Sequence, residues 1–167
     1  DGALTHADSM GTSAVLHAGE VQRMSAGSGI LHSEINQTGE PCRLLQIWIE
    51  PAQLGIQPAY EQKPFAIGEG WTPLIEPDAT GDAMAIKRRV RLWRAQPQRQ
   101  QPLPLPTAKE RWLWLQVIDG ELTLNREGSP KQSLRRGDGV GLIQEAATQG
   151  ELIGLSERAD VLLFALA

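Results

Sequence analysis

The sequence predicts an all-β fold made of two similar units, and three observations carry that expectation. Gly 17 and Pro 11 in 167 residues punctuate the chain so often that few stretches are long enough for a helix. Between these breaks lie short apolar or alternating runs, with candidate strands every eight to twelve residues or so. The third observation is an internal repeat. The run DGALTH at 1–6 is matched by DGELTL at 119–124, and Gly2 precedes the Gly19-Glu20 pair by 17 positions, as Gly120 precedes Gly137-Asp138.

Taken in order, the candidate strands are 3–7, 13–17, 21–24, 30–35, 43–50, 89–95, 111–117, 120–125, 140–143, 151–155 and 161–166. The run RLLQIWIE alternates cleanly, with Leu45, Ile47 and Ile49 on one side and Gln46, Trp48 and Glu50 on the other. The closing DVLLFALA is almost continuously apolar and calls for burial on both faces. Only 106–111, PTAKER, suggests a short helical turn. Residues 50–65 are Pro-rich and read as an ordered connector, while 66–86, with three glycines and two prolines, read as a linker. The expected division is therefore a partial first unit with its connector over 1–65, a linker over 66–86, and a second unit over 87–167.

Charge and composition narrow the function classes. The net charge of −4 argues against a dedicated nucleic-acid binder, which needs a clustered positive surface. The basic stretch 87–99 is expected to be the solvent face of an edge strand, because Arg89, Val90, Arg91 and Leu92 alternate; an anion or partner site is the competing reading. No apolar run of about 18 residues exists to span a membrane. The lone Cys42 allows no internal disulfide, and the start DGALTHADSM lacks the features of a secretory signal, so a cytoplasmic location is expected. The first methionine is Met10, whereas a translation product normally starts with one, so the chain is expected to be a fragment or a processed form.

The chain has three histidines, His6, His17 and His32. If 30–35 is a strand, His32 and Glu34 project from the same face, with Cα atoms about 6.5 to 7 Å apart. At that spacing an imidazole nitrogen and a carboxylate oxygen can converge on one ion at about 2.0 to 2.2 Å each. The preceding Gly27-Ser28-Gly29 turn lets the backbone bend sharply into the strand. A His-x-Glu pair by itself is more often a hydrogen-bonded surface pair, and ligation needs further donors. His6 can project inward but is expected to be structural, and His17, beside a turn, to be solvated.

The run HADSMGTSAVLHAGEVQRMSAGSGILHSEINQ, 6–37, resembles the pirin family, in particular its bacterial members. The matching motifs are Asp8-Ser9-Met10-Gly11, Gly19-Glu20-Val21-Gln22, and the stretch from Met24 through Gly27, Gly29 and Ile30 to His32-Ser33-Glu34; LLQIWIEP at 44–51 and PAYEQKPF at 58–65 continue them. The resemblance implies a bicupin, two cupin β-barrels in one chain. It implies one mononuclear divalent metal in the N-terminal barrel, iron(II) first, with nickel, copper, manganese or zinc as alternatives, held by three histidines and a glutamate. His32 and Glu34 match the last two of those ligands. The first two belong to a His-x-His motif upstream of the turn that here is Asp1-Gly2, and no His-x-His occurs in this chain. The missing segment is expected to exist beyond the given sequence, the alternatives being a second chain that completes the barrel or a degenerate protein. In the second copy Glu145 is the one candidate ligand and is expected to be exposed, leaving that barrel metal-free.

Three functions follow from the resemblance. The first is quercetin 2,3-dioxygenase activity on a flavonol, with Glu34 both ligating and acting as general base. The second is a non-catalytic, metal-responsive regulator that binds a protein partner through Trp48, Trp71 or the basic 87–99 face. The third is a metal-free scaffold. Trp112 and Trp114 are expected in core packing or at the interface between barrels.

Overall fold

A computed structural model describes residues 1–78, 81–143 and 150–167. Among the described residues there are fifteen strands and no helix, hence no helix long and apolar enough to cross a membrane. The chain divides into two units, Asp1–Ala66 and Ile67–Ala167.

The first unit holds β1 (Ala3–Asp8), β2 (Ser13–His17), β3 (Glu20–Ser25), β4 (His32–Ile35) and β5 (Ala59–Pro64). β1 lies between β2 and β4 in a three-stranded sheet, and β3 pairs with β5. The β1–β2 hairpin closes through Asp8, whose Oδ1 accepts from the backbone N–H of Met10 at 2.9 Å and of Thr12 at 3.1 Å. Gly11 completes this turn at φ 91°, a conformation that penalises any side chain. The SAGSG stretch is also a demanding turn. Gly27 sits at φ 56°, and a Cβ there would strike the carbonyl oxygen of Ile56.

The second unit continues with β6 (Thr72–Glu76), β7 (Met84–Ala85), β8 (Val90–Ala95), β9 (Pro102–Pro104), β10 (Trp112–Asp119), β11 (Glu121–Arg126), β12 (Gln132–Arg135), β13 (Gly139–Ile143), β14 (Gly150–Gly154) and β15 (Asp160–Leu166). They form a six-stranded sheet ordered β13-β10-β15-β8-β6-β7 and a four-stranded sheet ordered β12-β11-β14-β9. Between them lies an apolar core that includes Trp93, Leu115, Val117, Leu122, Leu124, Leu152, Val161 and Leu163. Burying each such side chain contributes about 1.5 to 3 kcal/mol.

The repeat is real in register as well as in sequence. In the first unit Ala3 pairs with His17, Leu4 with Leu16, Thr5 with Ile35 and His6 with Glu34. In the second, Glu121 pairs with Arg135, Leu122 with Leu134, Thr123 with Ile153 and Leu124 with Leu152. Each second-unit number is its counterpart plus 118, as Glu121 against Ala3 and Ile153 against Ile35. The turn glycines correspond too, Gly2 at φ 78° with Gly120 at φ 76°, and Gly19 at φ 87° with Gly137 at φ 91°.

Several expectations are corrected. Residues 43–50 form no strand despite their alternation, and Trp48 is 87% exposed. Alternation selects a face, but a strand also needs partners for its N–H and C=O groups; here Arg43 exchanges backbone hydrogen bonds with Asp1 and no ladder follows. The connector 50–65 contains β5, and the stretch expected as a linker, 66–86, contains β6 and β7. Residues 106–111 carry no helical turn. Pro102, Pro104 and Pro106 hold this region extended, and β9 lies at a sheet edge, where prolines are tolerated.

The basic strand is no edge. β8 lies between β15 and β6; Arg91 pairs with Glu76 at 3.2 Å, and Arg94 makes two hydrogen bonds to Asp160, at 2.9 and 2.6 Å. Trp112 and Trp114 are not in the core. Leu113 and Leu115 take the inward positions of β10, so period two turns both indoles outward. Trp114 lies over Gly139, where a Cβ would collide with the indole. Glu145 lies outside the described residues.

Candidate functional site

Strand register builds a polar cluster in the first unit around the buried His6. Directly opposed residues of an antiparallel pair share a face. His6 opposes Glu34 and Asp8 opposes His32, so all four side chains leave the β1–β4 sheet on the same side. On the facing pair, Gln22 opposes Gln62 and Met24 opposes Tyr60, which brings Gln22, Gln62 and Tyr60 to one side of β3 and β5.

These two faces meet at His6, which is fully buried. Its ring stacks on Tyr60, with centroids 4.5 Å apart and planes inclined by 22°, and on its other side faces His32 at 5.8 Å and 24°. The ring nitrogen Nε2 lies 3.0 Å from Asp8 Oδ2. A carboxylate only accepts, so Nε2 carries the proton and Nδ1 points elsewhere. Nδ1 is buried without a hydrogen-bond partner and stands 4.0 Å from Glu34 Oε1.

Glu34 is held from the other side. Gln22 Nε2 donates to Glu34 Oε1, and the Tyr60 hydroxyl lies 3.1 Å from Gln22 Oε1 and 2.7 Å from Gln62 Oε1. Gln62 Nε2 donates to the Val15 carbonyl at 2.8 Å and to Glu20 at 2.9 Å, and Glu20 also accepts from the His17 N–H at 2.7 Å. A polar chain therefore runs from Glu34 to the β2–β3 turn. With Oε1 occupied by Gln22, Oε2 is the oxygen left for another group.

Electrostatics follow this packing. Burial pushes the Asp8 carboxyl up, but hydrogen bonds from His6, Thr12 and Met10 outweigh it and hold the group below its ordinary value. For Tyr60, burial and then the negative charges of Glu34, Asp8 and Glu20 raise the phenol above its ordinary value.

The sequence-predicted site residues fall as follows. His32 and Glu34 share the inner face, with His32 exposed and Glu34 partly buried. His6 projects inward, at the centre of the cluster. His17 is exposed. Sequence reasoning assigned no role to Asp8, Gln22, Tyr60, Gln62 or Glu20. Their signal was present, since each lies in a stretch that resembles the pirin family, but nothing in a linear sequence brings Tyr60 to His6.

As a cation site, the cluster offers one imidazole and one carboxylate, a donor set suited to a first-row divalent ion. Among the described residues no three His, Cys, Asp or Glu side chains are placed to hold one ion. His6 is not placed with His32 and Glu34 as a third donor: Nε2 is committed to Asp8, and Nδ1 faces Glu34 Oε1, the oxygen that Gln22 already holds. His32 and Glu34 thus fit as two members of a larger ligand set.

Known proteins give this geometry a family. Residues 1–49 match the pirin family and residues 74–166 match the quercetinase C-terminal cupin domain. A Pasteurella multocida relative, whose name carries quercetin 2,3-dioxygenase as a provisional activity, is 41% identical over 168 residues, covering 99% of this chain and 69% of its own length. The quercetin 2,3-dioxygenase of Escherichia coli O157:H7 is 36% identical over 167 residues, with the same coverage. The crystal structure of YhhW from Escherichia coli superposes with TM-score 0.88 at 34% identity, covering all of this chain and 68% of that one. The bacterial pirin YhhW in complex with nickel(II) gives TM-score 0.86 at 34% identity, covering 99% of this chain and 69% of that one. This chain, an all-β protein of cupin type, belongs to the pirin family.

Proposed function

We propose that the chain binds a divalent metal ion through His32 and Glu34 and acts in the oxidative ring-opening of a flavonol, as a quercetin 2,3-dioxygenase. The observation that carries this reading is the shared inner face of β4, on which His32 and Glu34 sit side by side with Glu34 Oε1 tied back to Gln22. The nickel complex of the related pirin and the activity named for the Escherichia coli relative support it. Iron(II) is the metal we favour. His32 and Glu34 would be two members of that ion's ligand set.

When bound, the ion would supply Lewis acidity toward the flavonol. The protein's own contribution is positional. His32 and Glu34 would hold the ion, and Glu34 would serve as general base for the 3-hydroxyl proton, its carboxylate oriented by Gln22 donating to Oε1. The Tyr60 hydroxyl, shared between Gln22 and Gln62, keeps Gln22 in place.

The test is quercetin turnover by the iron(II)-loaded intact protein, read as released carbon monoxide, with Glu34→Ala alongside. We expect turnover in the wild type and its loss in the variant. Undiminished turnover by Glu34→Ala removes the general-base role. Metal bound at one equivalent without turnover favours a metal-responsive regulator, for which the 87% exposed Trp48 offers a partner surface. No uptake of iron(II) leaves a scaffold.

A further inference from the structure

We infer that His6 is a positioning residue that orients both candidate metal-binding side chains, His32 by ring stacking and Glu34 by occupying the space beside Oε1. This rests on the metal-binding reading above. His6 stands on β1, the central strand of its sheet, which is paired with a strand on each side. Its side chain is fixed as firmly. Asp8 holds Nε2, Tyr60 covers one ring face, and no part of the residue reaches solvent.

His32 is placed very differently. It is exposed and starts β4, an edge strand, so only one side of its backbone is paired within the sheet. A histidine in such a position samples several rotamers unless something limits it. The described ring contact that limits it is the face of His6 at 5.8 Å. Glu34 opposes His6 directly across the strand pair, and His6 Nδ1 stands 4.0 Å from Oε1. The buried ring blocks Oε1 from swinging toward β1, and Gln22 holds it from the opposite sheet. Removing the plate frees both donors at once, and each must then be ordered again when a cation binds.

Asp8 extends the device. One of its oxygens holds His6 and the other caps the β1–β2 turn, so the hairpin and the ring are set by one carboxylate. Outer groups that orient metal ligands typically change metal affinity by about 10- to 100-fold when mutated.

The experiment is a calorimetric titration of nickel(II) into the metal-free intact protein, paired with the visible absorption spectrum of its cobalt(II) form. We expect His6→Ala to weaken nickel(II) binding about 10- to 100-fold and to alter the cobalt(II) bands. His6→Phe keeps a flat ring between Tyr60 and His32 and should recover part of that loss. Asp8→Asn, which loosens the ring without removing it, should weaken binding less than His6→Ala and serves as the decisive variant if His6→Ala does not fold. Wild-type protein that takes up no nickel(II) overturns the metal-binding reading itself, and this inference with it. Wild-type binding matched in affinity and spectrum by His6→Ala, or by Asp8→Asn where His6→Ala does not fold, leaves the metal-binding reading intact and overturns the positioning role.

Discussion

In the first unit His6 faces Glu34 across a strand pair; 118 residues later, in the same register, Leu124 faces Leu152. The next pair along each ladder does not repeat that contrast, since Asp8 opposes His32 in one unit and Arg126 opposes Gly150 in the other. Leu124 and Leu152 are buried to 1% and 0% exposure in a continuous apolar core, while the first unit buries His6 beside Leu4 and gathers Asp8, Glu34, Gln22, Tyr60 and Gln62 around it. One backbone frame therefore serves two purposes. Apolar residues at these positions close the space between sheets and stabilise the unit. Polar residues there need a partner for each buried group, and the network of Asp8, Gln22, Tyr60 and Gln62 meets most of that need.

The contrast can be broken first by exchanging the residues. Leu152→Glu places a carboxylate at 0% exposure with no basic group opposite it, and should destabilise the second unit by about 4 kcal/mol or more. Urea unfolding followed by tryptophan fluorescence measures it, and wild-type stability in the Leu152→Glu variant would mean that this core is not dry. The reverse exchange, Glu34→Leu, should lower nickel(II) affinity about 100-fold or more while shifting stability by only about 1 kcal/mol. Calorimetry and a thermal melt read the two effects separately.

A smaller test sharpens the repeat itself. Gly19 and Gly137 occupy equivalent left-handed positions, and a Cβ at either meets open space. Alanine at each should therefore cost about 1 kcal/mol, similar in the two units, because only the backbone conformation is penalised. Gly120→Ala should cost more than either, since its Cβ also meets Ser156 and Ala159. Equal unfolding midpoints for all three variants would contradict this.

The subtlest effect is a titration. Tyr60 is the only tyrosine, so its phenolate absorbance is unmixed with that of any other. Its midpoint should lie above the ordinary tyrosine value, and Glu34→Gln should bring it down by removing one of the charges that raise it. The sign for stability follows. Folding favours the neutral phenol, so this contribution is full below the ordinary value and is lost as pH rises through the raised one.

Much of the fold is legible in the sequence because turns and strand faces are local. The strands near 3–7, 13–17, 21–24 and 89–95 follow from short apolar or alternating runs between turn residues, and 161–166 from its continuous apolar run. The repeat was readable from two glycine-acid turns at equal spacing. Strands β5, β6, β7, β9 and β12 are not among the candidates; β9 is proline-rich, β7 spans two residues, and neither has a local pattern. The stretch 43–50 failed in the opposite direction, since its pattern is strong and its pairing absent. For the site, the His32–Glu34 spacing was enough to place both on one face. His6 was read as structural, and its burial agrees, yet its neighbours were beyond reach.

What the sequence alone determined about this protein is its class, its duplicated plan, its family resemblance and the adjacency of His32 and Glu34, because each depends on contacts within a few residues or on a repeated pattern. Tertiary structure decided the rest. Tyr60 reaches His6 from 54 positions away and Gln22 reaches Glu34 from 12, because the inner faces of the β1–β4 and β3–β5 pairs turn toward each other. Such contacts follow from how sheets pack, and side-chain order along a chain does not encode which sheet will be opposite.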